Sequence, residues 1–232
     1  MNVLKLNWLT EHYAEFVLNR PEMKNAVNFA MIDGFNDALA ILERKDTLKG
    51  LLIRGEGHSF CSGGDLQDFH TLDAGEAVLE KMLKPMTAVL IRIKNLPCPV
   101  ISFVEGAAVG GGAELAASTD RIYVTPEAKF GFIQVKLGIR TGWGGAGLIE
   151  RHIDEESAGE MLRTGRIYSG DELKGFGFQV SHKPVSIDLF EGIEKLPPDP
   201  DLEERMYEEA EECAALWGSS IHGEKIKAFL EK

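Results

Sequence analysis

Two apolar runs in this chain end in glycines and lead straight into segments with helical spacing. One is Gly57-His58-Ser59-Phe60-Cys61-Ser62-Gly63-Gly64-Asp65-Leu66, the other Glu105-Gly106-Ala107-Ala108-Val109-Gly110-Gly111-Gly112-Ala113-Glu114-Leu115. A strand that passes into a helix through residues without side chains leaves backbone uncovered at the junction. Glycine permits both the turn and the close approach of a second group. Two such junctions side by side could aim two N–H donors at one oxygen, which is the geometry of an oxyanion hole. One carboxylate, Glu114, follows directly.

The rest of the chain keeps alternating. Val3–Leu6 and Glu15–Leu18 read as short strands, with Asn19-Arg20-Pro21-Glu22 as a turn. Asn28–Glu43 has helical spacing, with Phe29, Ile32, Phe35, Leu39 and Leu42 on one side and Asn28 as N-cap. Gly50–Gly55 and Pro99–Val104 are apolar runs expected to form buried strands. Between them, Glu76–Asn95 carries a helical stripe of Val78, Met82, Met86, Val89, Leu90 and Ile93, which Pro85 either kinks or breaks. A helix over Gly112–Ser118 and a strand over Ile122–Val124 follow the triple glycine. This alternation predicts an α/β architecture. From about residue 150 the character changes, with helices expected over Ile153–Leu162 and Asp171–Gly175. Beyond the rigid Leu196-Pro197-Pro198-Asp199-Pro200, an acidic helix carries the stripe Leu202, Met206, Ala210, Cys213 and Trp217. That stripe needs a covering surface, either the chain's own core or another subunit.

Composition removes several classes. Asp and Glu outnumber Lys and Arg by 37 to 25, for a net charge of −12. A surface of that sign disfavours nucleic acid, whose phosphates require basic residues. No apolar run reaches the length of a membrane span. Met1–Thr10 reads as a first strand rather than a signal peptide. Three widely spaced cysteines, Cys61, Cys98 and Cys213, suit reduced thiols in the cytoplasm. The six histidines show no metal-ligand spacing, so no metal is expected. Gly142–Gly147 satisfies G-x-G-x-x-G, but Lys136–Thr141 before it is a poor strand, so no dinucleotide site is expected. No G-x-S-x-G elbow is present. Cys61 reads as a small packing residue and His58 as a loop histidine.

Four ordered segments carry a resemblance. Asn19–Ala26, the segment Phe60–Leu66, the run Gly106–Glu114 and Gly138–Gly145 together resemble the crotonase superfamily, the enoyl-CoA hydratase/isomerases, from about Leu4 onward. Lys225–Lys232 is similar to the family's usual ending. The resemblance implies a β-β-α spiral core over residues 1–180 and a C-terminal helical oligomerisation segment over 181–232. It also implies a homotrimer or hexamer. The stretch between Val180 and Leu202 looks shorter than the family's, which bears on the trimer surface.

The resemblance further implies chemistry on a CoA thioester through an enolate, with coenzyme A carried by the substrate and no separate cofactor. It assigns the two backbone donors to Gly64 and Gly111, and acid/base work to Glu114, which in isolation could simply complement a helix dipole. Lys24, Ala26, Gly63, Asp65 and Leu66 would lie along the CoA, with Trp143 in the later glycine segment also lining the site. Lys24 would meet a phosphate or remain a solvated lysine. One position departs from the pattern. Many family hydratases carry a second glutamate in a Phe-Gly-x-Pro-Glu segment, and here Phe130-Gly131-Phe132-Ile133-Gln134 places Gln134 there. A neutral amide can hold a water or substrate group but cannot exchange a proton in turnover.

Gln134 weakens standard two-glutamate hydration and also isomerisation, so hydratase/isomerase chemistry is the first expectation only as what the family resemblance implies. Decarboxylation of a methylmalonyl- or ethylmalonyl-type CoA is the alternative, since such a substrate generates its enolate without a base. Val124–Lys129 and Trp143-Gly144-Gly145 are similar to alkylmalonyl-CoA decarboxylases. A non-catalytic CoA-binding or assembly protein is the alternative of another class, against which the retained Gly64, Gly111 and Glu114 argue.

Overall fold

A computed structural model describes residues 2–69, 72, 75–182 and 185–230. The chain opens with an antiparallel pair, β1 (Leu4–Trp8) and β2 (Tyr13–Leu18). Helix α1 (Phe29–Leu42) follows, with the Asn28 side chain accepting the Met31 N–H as the spacing predicts. Then come β3 (Gly50–Gly55), β4 (Ser59–Cys61), α2 (Leu66–Phe69), α3 (Gly75–Val78) and α4 (Lys84–Asn95). The middle of the chain supplies β5 (Val100–Val104), β6 (Ala107–Val109), α5 (Gly111–Ala117), β7 (Arg121–Val124), β8 (Lys129–Gly131), α6 (Gly145–Ile149) and α7 (Glu155–Thr164). The last elements are β9 (Tyr168–Ser169), α8 (Gly170–Leu173), β10 (Gln179–Val180), α9 (Leu202–Trp217) and α10 (Ser220–Leu230).

Long and short strands alternate. β2, β3, β5, β7 and β10 pair in parallel in one sheet, with β1 on its edge. β4, β6 and β8 pair in parallel in a second, smaller sheet that β9 closes antiparallel. Successive turns of chain thus add a strand to the larger sheet and one to the smaller, and helices cover the outside. This is the β-β-α spiral that the resemblance implies.

The larger sheet is covered on both faces, as parallel sheets require. One face joins a core that includes Phe16, Leu18, Ile53 and Val100 with Phe35 and Leu39 of α1 and Leu90 of α4. On the other, Leu52, Ile101 and Phe103 meet Phe190 of the 3₁₀ turn Ile187–Phe190. Double coverage explains why these strands read as continuous apolar runs rather than alternating ones.

The structure settles several boundaries. Helix α7 starts two residues later than the spacing suggests, because the Asp154 side chain caps it by accepting the Ser157 N–H. The helix expected over Asp171–Gly175 divides into α8, with a Ser169–Glu172 capping box, and a 3₁₀ turn over Lys174–Phe176. Around Pro85 the helix does not break. A π turn over Leu79–Leu83 joins α3 to α4, and Pro85 sits in the first turn of α4. The shift in hydrogen-bond register lies just upstream of the residue that lacks an N–H.

The apolar stripe of the acidic helix finds its cover within the chain. Leu202, Met206, Ala210 and Cys213 are buried in the main core, where α9 packs on α3, α4 and α6 of its own chain. Of the expected C-terminal motif, Glu231 and Lys232 lie outside the described residues.

Asn25 pins the first loop to the spiral. It is fully buried at φ 56°, its Oδ1 accepts the Arg20 N–H, and its amide donates to the Glu56 and Ser59 carbonyls. Asn25→Ala would orphan these groups and place alanine at a positive φ. A loss of about 3 kcal/mol is expected, read as a lower urea midpoint with an unchanged m-value. A change within a few tenths of a kcal/mol would show that Asn25 is not what holds this loop.

Candidate active site

The short sheet brings the two glycine turns together. β4 and β6 are neighbours, so the turns that follow them, Gly63–Gly64 and Gly110–Gly111, lie side by side. A Cβ on Gly63, whose φ is 98°, would stand 3.1 Å from the Gly111 nitrogen. A Cβ on Gly111 would overlap the indole of Trp143, and one on Gly112 would overlap the Cys61 carbonyl. The glycines are required by close approach, not only by the turn. Among the described residues, no protein acceptor takes the Gly64 or the Gly111 N–H.

The first turn is stitched to the loop before α1. Val27 donates to the Gly63 carbonyl and Asp65 to the Val27 carbonyl, each at 2.8 Å, while Ser62 donates to the Lys24 carbonyl. The Arg20 guanidinium meets the Asp65 carboxylate at 2.9 Å and donates to the Ala26 carbonyl at 2.6 Å. The Asp65 side chain therefore anchors the loop, and its other oxygen accepts the Gln67 N–H.

Both turns open onto a cavity of roughly 300 Å³. Its apolar wall combines Met82 and Leu83 of the π turn with Ile133, Leu137, Ile139 and Trp143, and with Cys213 and Trp217 of α9. All ten residues singled out in the sequence line it: Lys24, Ala26, Gly63, Gly64, Asp65, Leu66, Gly111, Glu114, Gln134 and Trp143. Lys24 stands exposed at its mouth. His58 is exposed and is not among the lining residues. The Cys61 thiol is buried, and desolvation pushes it up to about 12, which suits a packing role.

Glu114 is the buried carboxylate of this cavity that carries no cationic partner. It is 2% exposed, and its donors are all neutral. Oε2 accepts the Trp143 and Gly145 N–H groups at 2.8 and 2.9 Å. Oε1 accepts the Gly142 N–H at 3.4 Å and the Gln134 amide at 2.6 Å. Burial, reinforced by the like charge of Glu209, raises the Glu114 pKa to about 8 despite these bonds. The Gln134 Oε1 is buried without a partner. The arrangement offers two free backbone donors, one carboxyl group poised near neutrality, and an amide with an unused acceptor.

Other residues of the site escape sequence reasoning. Arg20 and Asn25 act through the backbone of a loop that carries little periodic signal. Glu209 had a legible sign: spacing puts it within the apolar stripe of α9, between Met206 and Cys213, where a charge needs strong partners. It accepts the Thr141 hydroxyl at 2.5 Å and the Ala146 and Gly147 N–H groups at 3.1 and 3.0 Å.

A parallel spiral with a cavity at the ends of its short strands is the crotonase-type fold. The chain belongs to the enoyl-CoA hydratase/isomerase family, whose sequence model matches residues 11–187. It is similar to the crystal structure of an enoyl-CoA hydratase from Mycobacterium smegmatis, at 26% identity and a TM-score of 0.75, over 99% of this chain and 96% of that one. An enoyl-CoA hydratase from Bacillus anthracis matches at 25% identity and a TM-score of 0.72, over 99% of this chain and 84% of that one. An enoyl-CoA hydratase/isomerase from Mycobacterium paratuberculosis shares the fold at a TM-score of 0.83 and 20% identity, over 98% of both chains. Among the described residues, no helix is long and apolar enough to cross a membrane, and no acidic, histidine or cysteine cluster could hold a metal ion.

The raised Glu114 pKa has a measurable sign. A carboxyl that titrates near 8 in the folded protein and near 4.5 when unfolded binds its proton more tightly when folded. It stabilises the fold fully below about pH 4.5 and loses that contribution as pH rises through 8. Glu114→Gln is therefore expected to flatten the fall in stability between pH 5 and 8, followed by chemical denaturation. Parallel pH curves for the two proteins would place the Glu114 pKa in the ordinary carboxylate range.

Proposed function

We propose that this protein acts on acyl-CoA thioesters through an enolate, whose oxygen is held by the N–H groups of Gly64 and Gly111 while Glu114 carries the proton. One observation carries this reading: two adjacent N–H groups without protein acceptors open onto the same cavity as a single, unpaired buried carboxyl. Donors fixed in place before the charge develops need no reorganisation, and losing one such donor typically costs about 3–4 kcal/mol. Family membership supports the substrate class. The CoA would run past Ala26, Gly63, Asp65 and Leu66 to Lys24, where an exposed ammonium suits a phosphate. Coenzyme A enters as part of the substrate, and no further cofactor is called for. The active assembly is a homotrimer or hexamer.

Hydratase/isomerase-type turnover is the first reading within this class. Gln134 favours a second. Its amide donates to Glu114, so one side chain of the pair exchanges protons and the other does not. A methylmalonyl- or ethylmalonyl-type CoA needs one proton carrier only. Its C–CO₂⁻ bond breaks, carbon dioxide leaves, and the bonding electron pair becomes the enolate. Protonated Glu114 then delivers its proton to the α-carbon, and solvent restores it.

Mass spectrometry of products from crotonyl-CoA, a 3-enoyl-CoA and methylmalonyl- and ethylmalonyl-CoA separates these reactions. Turnover of at least one is expected, with a pH dependence centred near 8. If Glu114 works as an acid, the rate falls as pH rises through that value; if it works as a base, the rate rises. Hydrated product sinks the decarboxylase reading. CoA binding with no turnover of any thioester favours a non-catalytic role.

A further inference from the structure

The loop Thr141–Gly147 directs its N–H groups two ways. Gly142, Trp143 and Gly145 donate to Glu114, on the cavity side. Ala146 and Gly147, with the Thr141 hydroxyl, donate to Glu209 on the outer side. The two carboxylates thus share one short piece of backbone, which also carries the Trp143 ring that covers Gly111. Glu209 is 5% exposed and comes from α9, more than sixty residues beyond the loop it holds.

We propose that Glu209 is a positioning residue for Glu114: its grip on the outer half of the loop holds the inner amides on Glu114, and its like charge acts on the Glu114 carboxyl across that loop. This rests on Glu114 being the proton carrier. The surroundings distinguish the two groups. Glu209 borders an outer recess with Arg140 and Arg205; Arg140 also lines the Glu114 cavity, as do Lys24 and the Arg20-paired Asp65, but every hydrogen-bond donor on Glu114 itself is neutral. Arg140 pairs with Glu212, and Arg205 with Glu150 and Asp199; Glu208 lines the same recess. On the cavity side, the Cys213 thiol faces Glu114 and is pushed up by burial first and by that carboxylate second. The turn Ile133–Leu137 contributes the neutral Gln134 amide, and the π turn contributes Met82 and Leu83. Repulsion from Glu209 is, after burial, the larger cause of the raised Glu114 pKa.

Difference infrared spectroscopy reads the Glu114 proton without any turnover, its carboxyl band being identified by loss in Glu114→Gln. In Glu209→Gln the midpoint of that band is expected to fall by about one pH unit, and any limb of kcat/KM that reports Glu114 moves with it. Glu209→Asp, which keeps the charge but shortens the reach, is expected to hold the midpoint near that of the unmodified protein while lowering kcat. An unmoved midpoint in folded Glu209→Gln overturns the proposal. If Glu209→Gln does not fold, Glu209→Asp decides, and a midpoint one unit lower with the charge retained overturns it. The underlying reading fails separately: undiminished turnover by Glu114→Gln removes Glu114 as proton carrier, wherever the infrared midpoint lies.

Discussion

Two turns of backbone approach so closely in this molecule that a methyl group on Gly63 would stand 3.1 Å from the Gly111 nitrogen. The Gly63–Gly64 and Gly110–Gly111 turns meet because β4 and β6 are adjacent in the small sheet, and the small sheet is adjacent-stranded because each turn of the spiral adds one strand to it. The rest of the site follows from that approach. Trp143 closes over Gly111, its loop delivers three amides to Glu114, and the cavity opens where the turns face it.

Much of this was legible in the sequence because glycine, unlike most residues, announces a backbone requirement. The two glycine-ended runs, the cap at Asn28 and the double-sided apolar strands each carry a local signal tied to a single physical cause. Spacing on α9 likewise identified the face that is buried. Its partner was not legible, since periodicity says which side of a helix is covered and not by what.

What stayed hidden depends on groups far apart in the chain. Asn25 matters through carbonyls at Glu56 and Ser59, and no pattern near residue 25 names them. Glu209 matters through amides more than sixty residues earlier. Pro85 is the visible anomaly in the sequence, yet the irregular turn lies upstream of it at Leu79–Leu83. The register change itself leaves no residue-type mark. Local chemistry reads well from sequence, while tertiary hydrogen bonds do not.

The cavity draws its floor and its roof from different ends of the polypeptide. The glycine turns belong to the first half of the chain, whereas Trp143, Cys213 and Trp217 come from later segments that close over them. Contacts of such large sequence separation form only after long loops have closed, and loop closure is the slow part of folding. During synthesis the spiral's early turns therefore stand with their apolar cavity wall open until α9 arrives. Helix α9 is thus also what shields a nascent chain from sticking to its neighbours.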